Sequence, residues 1–451
     1  MLNFFQNKKI ITTIKKKLKK RRKERNNFNF FFRAVIHFCR FIFFSSFRKN
    51  ICLIDPPSNF FYKYRKFANF FSFPLVIFAK YLKKNNIFIS VHNNCNYSMG
   101  HVYFEISELK RMQILESKYL NSTIWFTTSR KEILGQTKDI FEDKNFKILF
   151  GGIKRIFLTF VAIRCPDVSI DASLSHDNYI NGDEQLSSKV VYNDKPLKRA
   201  KMMTLSPDFK PYNYKLDNYH NKKIELMKKL KISKKYIIIQ IKTVKANGTL
   251  KPLSSDSLLK TVKYFQDKDY QIVFAGREEF PEAFRNKSII DYANSKYASA
   301  LNDFILIGYC SFVIASASGF CMLPEILDKP MLTINTVHGV QHYGRRTIIL
   351  PTLLMRSSKP FNALIQHEYL CKYGKYCGYD ILDDLYIHHM PNSEEIFMAA
   401  KELEEMLLDK ISPLTSLQQK IFDSNDCPLL SYGLSRISHY YLSKHEYFYI
   451  K

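Results

Sequence analysis

The chain has 451 residues, 46% hydrophobic and 15% aromatic, which gives it a sizeable core and excludes a disordered chain. Its formal net charge is +28, and residues 1–90, with 21 Lys and Arg against two acids, supply +19 of it. The nine cysteines are scattered, odd in number and without a CxxC, the pattern of thiols in a reducing cytosol and not of a disulfide framework.

The basic head comes first. "KKIITTIKKKLKKRRKER" (8–25) is followed by "FNFFFRAVIHFCRFIFFSSF" (28–47), an apolar run interrupted by Arg33, His37 and Arg40. Those three recur at helical spacing and form one narrow basic stripe, unsuited to a membrane span but suited to lying among anionic headgroups. "FANFFSFPLVIFAKYLKK" (67–84) extends the same character. No small-residue cleavage site follows, so a signal peptide is not expected. The density of Phe and Ile argues against a nucleic-acid arm, and no nucleic-acid partner is expected. Residues 1–85 are therefore expected to form a basic, aromatic, helical extension at an anionic membrane surface, with packing against the core or a partner as the alternative.

From residue 86 the pattern becomes regular. "NIFISV" predicts a strand, "HVYFEISELKRMQILE" a helix, "STIWFTTS" a strand, "RKEILGQTKDIFED" a helix and "FKILFGG" a third strand. The polar, turn-rich stretch 180–220 reads as a linker. A second alternation follows: "YIIIQI", "SDSLLKTVKYFQ", "YQIVFAG", "SALNDFILIGY", "FVIAS", "GFCMLPEIL" and "PMLTIN", with a strong amphipathic helix at "NSEEIFMAAKELEEMLL" capped by Asn392 or Ser393. Short apolar strands alternating with helices predict an α/β chain of two Rossmann-like, doubly wound parallel-sheet domains facing a cleft. The expected boundaries are 86–205 for the first domain, 206–410 for the second and 411–451 for a helical tail, taken to return to the first domain.

Ligands of parallel sheets sit at the carboxyl ends of strands, which selects the loops at 92–101, 242–251, 276–282, 316–319 and 335–346. Ser316, Ala317, Ser318 and Gly319 form a small-residue elbow between a strand and a helix, and its amides suit an anion. Lys242, Lys245 and Gly276–Arg277 place cations and a turn glycine at neighbouring strand ends, a combination that suits a diphosphate; Ser318 as a simple cap and Gly276 as a simple turn are the plainer alternatives. No P-loop or GxGxxG occurs. His367, Cys371 and Cys377 match no zinc spacing, so no metal and no cofactor are expected.

The run "NDFILIGYCSFVIASASGFCMLPEILDKPMLTIN", with "MGH" (99–101), "IIDYANS", "ILPTLLM", "HEYL" and "PNSEEI", resembles a family of bacterial glycosyltransferases encoded among surface-polysaccharide genes. The interval from Gly319 to Pro330 is similar to that of the lipopolysaccharide heptosyltransferases. The resemblance spans residues 90–410 and implies a GT-B-like enzyme whose second domain binds a nucleotide sugar and whose first binds the acceptor. It places Ser318 and Gly319 at the diphosphate. Lys242 stands where the family carries an arginine, and lysine lacks the bidentate fork. Glu325 is a candidate for a ribose hydroxyl; Arg345 and Arg346 are candidates for phosphate charge, and Gly100 for the acceptor side.

Inversion at an anomeric carbon requires a base for the acceptor hydroxyl. His101, at the head of the first helix, is one candidate; Glu105, one turn on and sharing its face, is another; His176 and Asp177 are a third. The expected activity is metal-independent, inverting transfer from a nucleotide sugar to a glycan or lipid-linked saccharide in surface polysaccharide synthesis, on the cytoplasmic face of the membrane. Alternatives are a nucleotide-sugar epimerase or glycerol-phosphate transferase of the same architecture, and a non-catalytic nucleotide-sugar or membrane-binding protein.

Overall fold

The structure, a computed structural model, describes residues 72–92, 99–115, 117–128, 130–170, 216–242, 253–285, 287–336, 346–356, 359–360, 387–408, 413–423 and 435–446. The head up to residue 71, residues 180–215 of the expected linker, His176, Asp177, Lys245, Arg345, His367, Cys371 and Cys377 lie outside the described residues.

Two parallel sheets organise the chain. The first contains β1 (Ile87–Val91), β2 (Thr123–Thr128) and β3 (Phe146–Phe150) in that order, with Ile87 opposite Thr123 and Ile124 opposite Phe146. Side chains alternate between its faces. Ile87, Ile89 and Val91 turn to α1 (Ser72–Lys84) and α5 (Gly152–Arg164), whereas Phe88, Phe126, Phe146 and Ile148 pack with α2 (Met99–Leu115) and the short α3 (Lys131–Leu134) and α4 (Lys138–Phe141). The single helix expected over 130–143 is split in two at Gly135, where a glycine weakens helix propagation by about 1 kcal/mol relative to alanine. α5, which buries Leu158 and Val161 against this sheet, has no counterpart among the elements read from the sequence.

α1 lies on the extension side of the boundary expected at residue 85. Its Leu75, Ala79 and Leu82 are buried against β1 and α5, so the apolar run of this segment serves the first sheet as well as any outer surface.

The second sheet has seven strands among the described residues, parallel throughout and in the order β13 (Arg436–Ile437), β9 (Thr347–Pro351), β8 (Met331–Thr336), β7 (Val313–Ser316), β4 (Tyr236–Gln240), β5 (Gln271–Phe274) and β6 (Ile289–Asp291). Every residue of β4 and β7 is buried because helices cover both faces. α6 (His220–Leu230), α8 (Ala300–Tyr309) and α9 (Met322–Ile326) lie on one face; α7 (Leu259–Asp267), α10 (Ser393–Glu405) and α12 (His439–Lys444) lie on the other. A small antiparallel sheet of β10 (Leu353–Arg356), β11 (Lys359–Pro360) and β12 (Ile387–His389) was not foreseen.

The described residues of the tail join the second sheet and not the first. β13 pairs with β9, α11 (Ser416–Asp423) precedes it, and the Tyr441 hydroxyl donates to the Pro351 carbonyl over 2.8 Å, so the described tail residues complete the second sheet. One apolar cluster joins the sheets: Tyr103 of α2 and Phe141 of α4 meet Phe304 of α8 edge-on, with ring centroids 5.0 and 5.2 Å apart. Such aromatic pairs add to area burial.

Candidate functional site

Strand order decides where a ligand can sit. The chain lays β4, β5 and β6 outward, then returns to build β7, β8 and β9 on the other side of β4. The order reverses between β4 and β7, and loops diverge outside the carboxyl ends at such a reversal, leaving room for a ligand.

Three strand ends meet there. The Lys242 N–H donates to the Ser316 hydroxyl over 3.1 Å and its carbonyl accepts from Leu253 over 2.8 Å, which fixes the backbone from which the lysine side chain extends. Ser316 itself is fully buried, so its hydroxyl holds β4 to β7. The Ser318 hydroxyl donates to Gln240 Oε1 over 3.2 Å and accepts from the Phe320 N–H over 3.3 Å. At the β5 end, Gly276 has φ 111°, and a Cβ there would stand 3.0 Å from Gln240 Cγ. Only glycine adopts that backbone without strain. Gln240, buried at the tip of β4, thus touches both neighbouring strand ends.

The element behind the elbow is shorter than its sequence suggests. A 3-10 turn, Gly319–Cys321, leads into a helix of only five residues that contains Pro324. So few aligned peptides build little of the dipole expected there. What the elbow presents is close-approaching backbone. A Cβ on Gly100, in the first turn of α2, would lie 2.4 Å from the Gly319 carbonyl oxygen and 2.5 Å from its Cα. Gly100 and Gly319, one from each half, therefore touch.

Arg277 is exposed beside this junction and acts electrostatically on Asp303 of α8 and Tyr103 of α2. Desolvation pushes the Asp303 carboxyl up to about 6, against the Tyr292 hydroxyl, which donates to it over 2.7 Å, and against Arg277. Glu325 is partly buried on α9.

The first half contributes a buried pair. Glu105 is 6% exposed, and its Oε2 lies 2.6 Å from Nδ1 of His92, which is 0% exposed. The Glu105 carboxyl thus orients the imidazole through Nδ1, and the buried Nε2 has no hydrogen-bond partner among the described residues. His92 follows β1; its N–H donates to the Thr127 carbonyl over 2.9 Å and its carbonyl accepts from Arg155 Nη2 over 3.1 Å. His101 lies in α2, four residues before Glu105.

Arg346 is a correction. Its carbonyl accepts from the N–H of Met331, the first residue of β8, and its Nη2 reaches the Met406 carbonyl at 3.4 Å. β8 and β9 are parallel, so their connection runs back the full length of the strand and ends at the amino edge, opposite the candidate site. Position in the loop after β8 had suggested otherwise.

His92, Gln240 and Asp303 escaped sequence reasoning. His92 opens a loop already selected for inspection, but the signal that singles it out is a partner 13 residues away. Among the described residues no group of three or more His, Cys, Asp or Glu is arranged to hold a metal ion.

Neither a protein-family profile nor a curated protein sequence matches the chain. Solved structures do. A glycosyl transferase family 9 protein from Veillonella parvula aligns over 72% of this chain and 97% of its own, at 13% identity and a TM-score of 0.40. The ADP-heptose lipopolysaccharide heptosyltransferase II of E. coli aligns over 72% and 99%, at 10% identity and a TM-score of 0.40. A UDP-GlcNAc 2-epimerase from Neisseria meningitidis, bound to UDP-GlcNAc, aligns over 72% and 99%, at 14% identity and a TM-score of 0.31. The chain is thus structurally similar to heptosyltransferases at low sequence identity, and donor, acceptor and mechanism are left to the residues of the site.

Proposed function

We propose that the chain is a GT-B-type glycosyltransferase that moves a sugar from a nucleotide-sugar donor to a hydroxyl of a glycan or lipid-linked saccharide, with inversion. The observation that carries this is the reversal of strand order between β4 and β7, flanked by Lys242, Gly276–Arg277 and Ser318–Gly319 and abutted by Gly100 of the other half. The donor diphosphate is assigned to this edge, with backbone amides at the elbow and the Lys242 and Arg277 cations meeting the charge that develops on the leaving group. Glu325 is assigned to the donor ribose.

The first half, residues 86–205, takes the acceptor in a cleft against residues 206–410. The base is assigned to the head of α2. His101 accepts the hydroxyl proton as the acceptor oxygen bonds the anomeric carbon and the nucleoside diphosphate leaves with the electron pair. Glu105 is the second candidate; because His92 engages one of its oxygens, it works as part of that pair. Residues 1–85 hold the enzyme on the inner face of the cell membrane, where lipid-linked acceptors are displayed.

Thermal-shift measurements on the full chain with UDP-, GDP-, CDP- and ADP-sugars test the donor site. At least one is expected to stabilise the protein, and Lys242→Ala is expected to weaken that binding about tenfold, the worth of one charge-assisted hydrogen bond. Stabilisation by none of them overturns the donor assignment, and an unchanged affinity in Lys242→Ala removes the lysine from it. His101→Ala is expected to abolish transfer while sparing donor binding.

A further inference from the structure

The outer faces of α1 and α5 form a surface that the transfer reaction does not use. Pro74, Ile77, Tyr81 and Lys84 recur along α1 at helical spacing and are all exposed, although the opposite stripe, Leu75, Ala79 and Leu82, is buried. Ile77 is 54% and Tyr81 53% exposed; Phe157, on the neighbouring α5, is 36% exposed. Phe78 joins them, with ring centroids 6.0 Å from Tyr81 and 5.1 Å from Phe157. Among the described residues the other large exposed apolar side chains, Ile114, Leu120, Ile224 and Met390, lie on separate elements. A contiguous apolar patch calls for a cover in a way that scattered single residues do not.

The rim of this patch is cationic. Lys80, Lys83 and Lys84 on α1 and Lys154 on α5 are exposed, and no acid lies in α1 or α5. In sequence, the 71 residues that precede α1 carry 18 Lys and Arg against two acids. Asp167, exposed on the turn that follows α5, is the acid near this rim, against four exposed lysines. A hydrophobic ridge with so basic a rim is complementary to an anionic bilayer, which offers hydrocarbon beneath a negative surface.

We infer that the α1–α5 face of the first sheet is the surface that lies on the membrane, with Ile77, Tyr81 and Phe157 entering the headgroup–acyl boundary and the four lysines meeting anionic lipid. This deepens the membrane assignment of the proposed function by naming the face. In that orientation the first sheet rides one helix diameter, about 10 Å, above the lipid. Its carboxyl edge, with His92 and the head of α2, then opens sideways along the bilayer, within reach of an acceptor anchored in it.

Tryptophan placed at three sites in the full chain tests this, using vesicles of phosphatidylglycerol and dibrominated phosphatidylcholine. The chain has a single native tryptophan, Trp125, within the first sheet, which supplies the baseline. Tyr81→Trp and Phe157→Trp are expected to shift to shorter emission wavelength and lose most of the added emission to bromine. Leu120→Trp, in the turn between α2 and β2, is expected to keep it. Pelleting with vesicles but no quenching at 81 and 157, or equal quenching at 120, overturns the orientation while leaving a tether through the head. Failure to pellet overturns the membrane assignment itself. Stabilisation by nucleotide sugars in vesicle-free solution is independent of all three outcomes and reports on the transferase assignment alone.

Discussion

Asp303 shows how a single carboxyl couples the site to pH. Its proton is retained in the folded state up to about 6, because burial outweighs the Tyr292 hydrogen bond and the Arg277 charge. An ordinary aspartate releases its proton near 3.9. Between those values the native chain binds more protons than the unfolded one, so this contribution to stability is complete below about 4 and is lost as pH rises through about 6. Asp303→Asn keeps an oxygen for Tyr292 but never ionises. The variant should therefore melt higher than the parent at pH 8, by a margin that shrinks toward pH 4.5. A margin independent of pH would show that the buried carboxyl does not titrate in this window. Lys242 and Gly276 were visible in the sequence as a cation and a turn glycine. Their contacts were not: Lys242 meets Ser316, 74 residues on, only when β4 pairs with β7, and Gly276 meets Gln240 only when β4 pairs with β5.

Among the elements, α10 was the most legible. Asn392 accepts from the N–H groups of Glu394 and Glu395, each over 3.0 Å, and Glu395 returns a bond to the Asn392 N–H over 2.8 Å. This capping box is local chemistry, and local chemistry is written in consecutive residues. Asn392→Ala should cost about 1 kcal/mol, measured by urea denaturation, and Asn392→Asp should recover most of it. An equal loss in both variants would point to packing and not to the cap. α5 and α6 carry no such side-chain cap, and their starts are correspondingly harder to read from consecutive residues. The elbow helix was overestimated because Pro324 is compatible with a first turn but leaves little room for further ones.

At the scale of the whole molecule, the closeness of Gly100 to Gly319 sets how the two halves meet. A methyl on Gly100 would strike backbone atoms of Gly319 at 2.4 to 2.8 Å, which no rotamer change relieves. Gly100→Ala should force α2 from the elbow and loosen the Tyr103–Phe141–Phe304 contact. Hydrogen exchange should then rise in both α2 and α8, and stabilisation by a donor should fall. Unchanged exchange would mean that the halves move together to absorb the methyl. Arg346 belongs to this scale too, since its edge of the sheet follows from strand direction and not from neighbouring residues.

The sequence by itself determined the two alternating α/β halves, most strands of both parallel sheets, the capped α10 and the asymmetry of charge, because periodicity, capping and composition act over a few consecutive residues. Only the tertiary structure decided the reversal of strand order at β4 and β7, the His92–Glu105 pair, the glycine contact between the halves, the amino-edge position of Arg346 and the docking of the tail on β9. Each of these depends on which strands pair and which helices pack. That choice is made by the burial of apolar faces across the whole fold, and no local pattern encodes it.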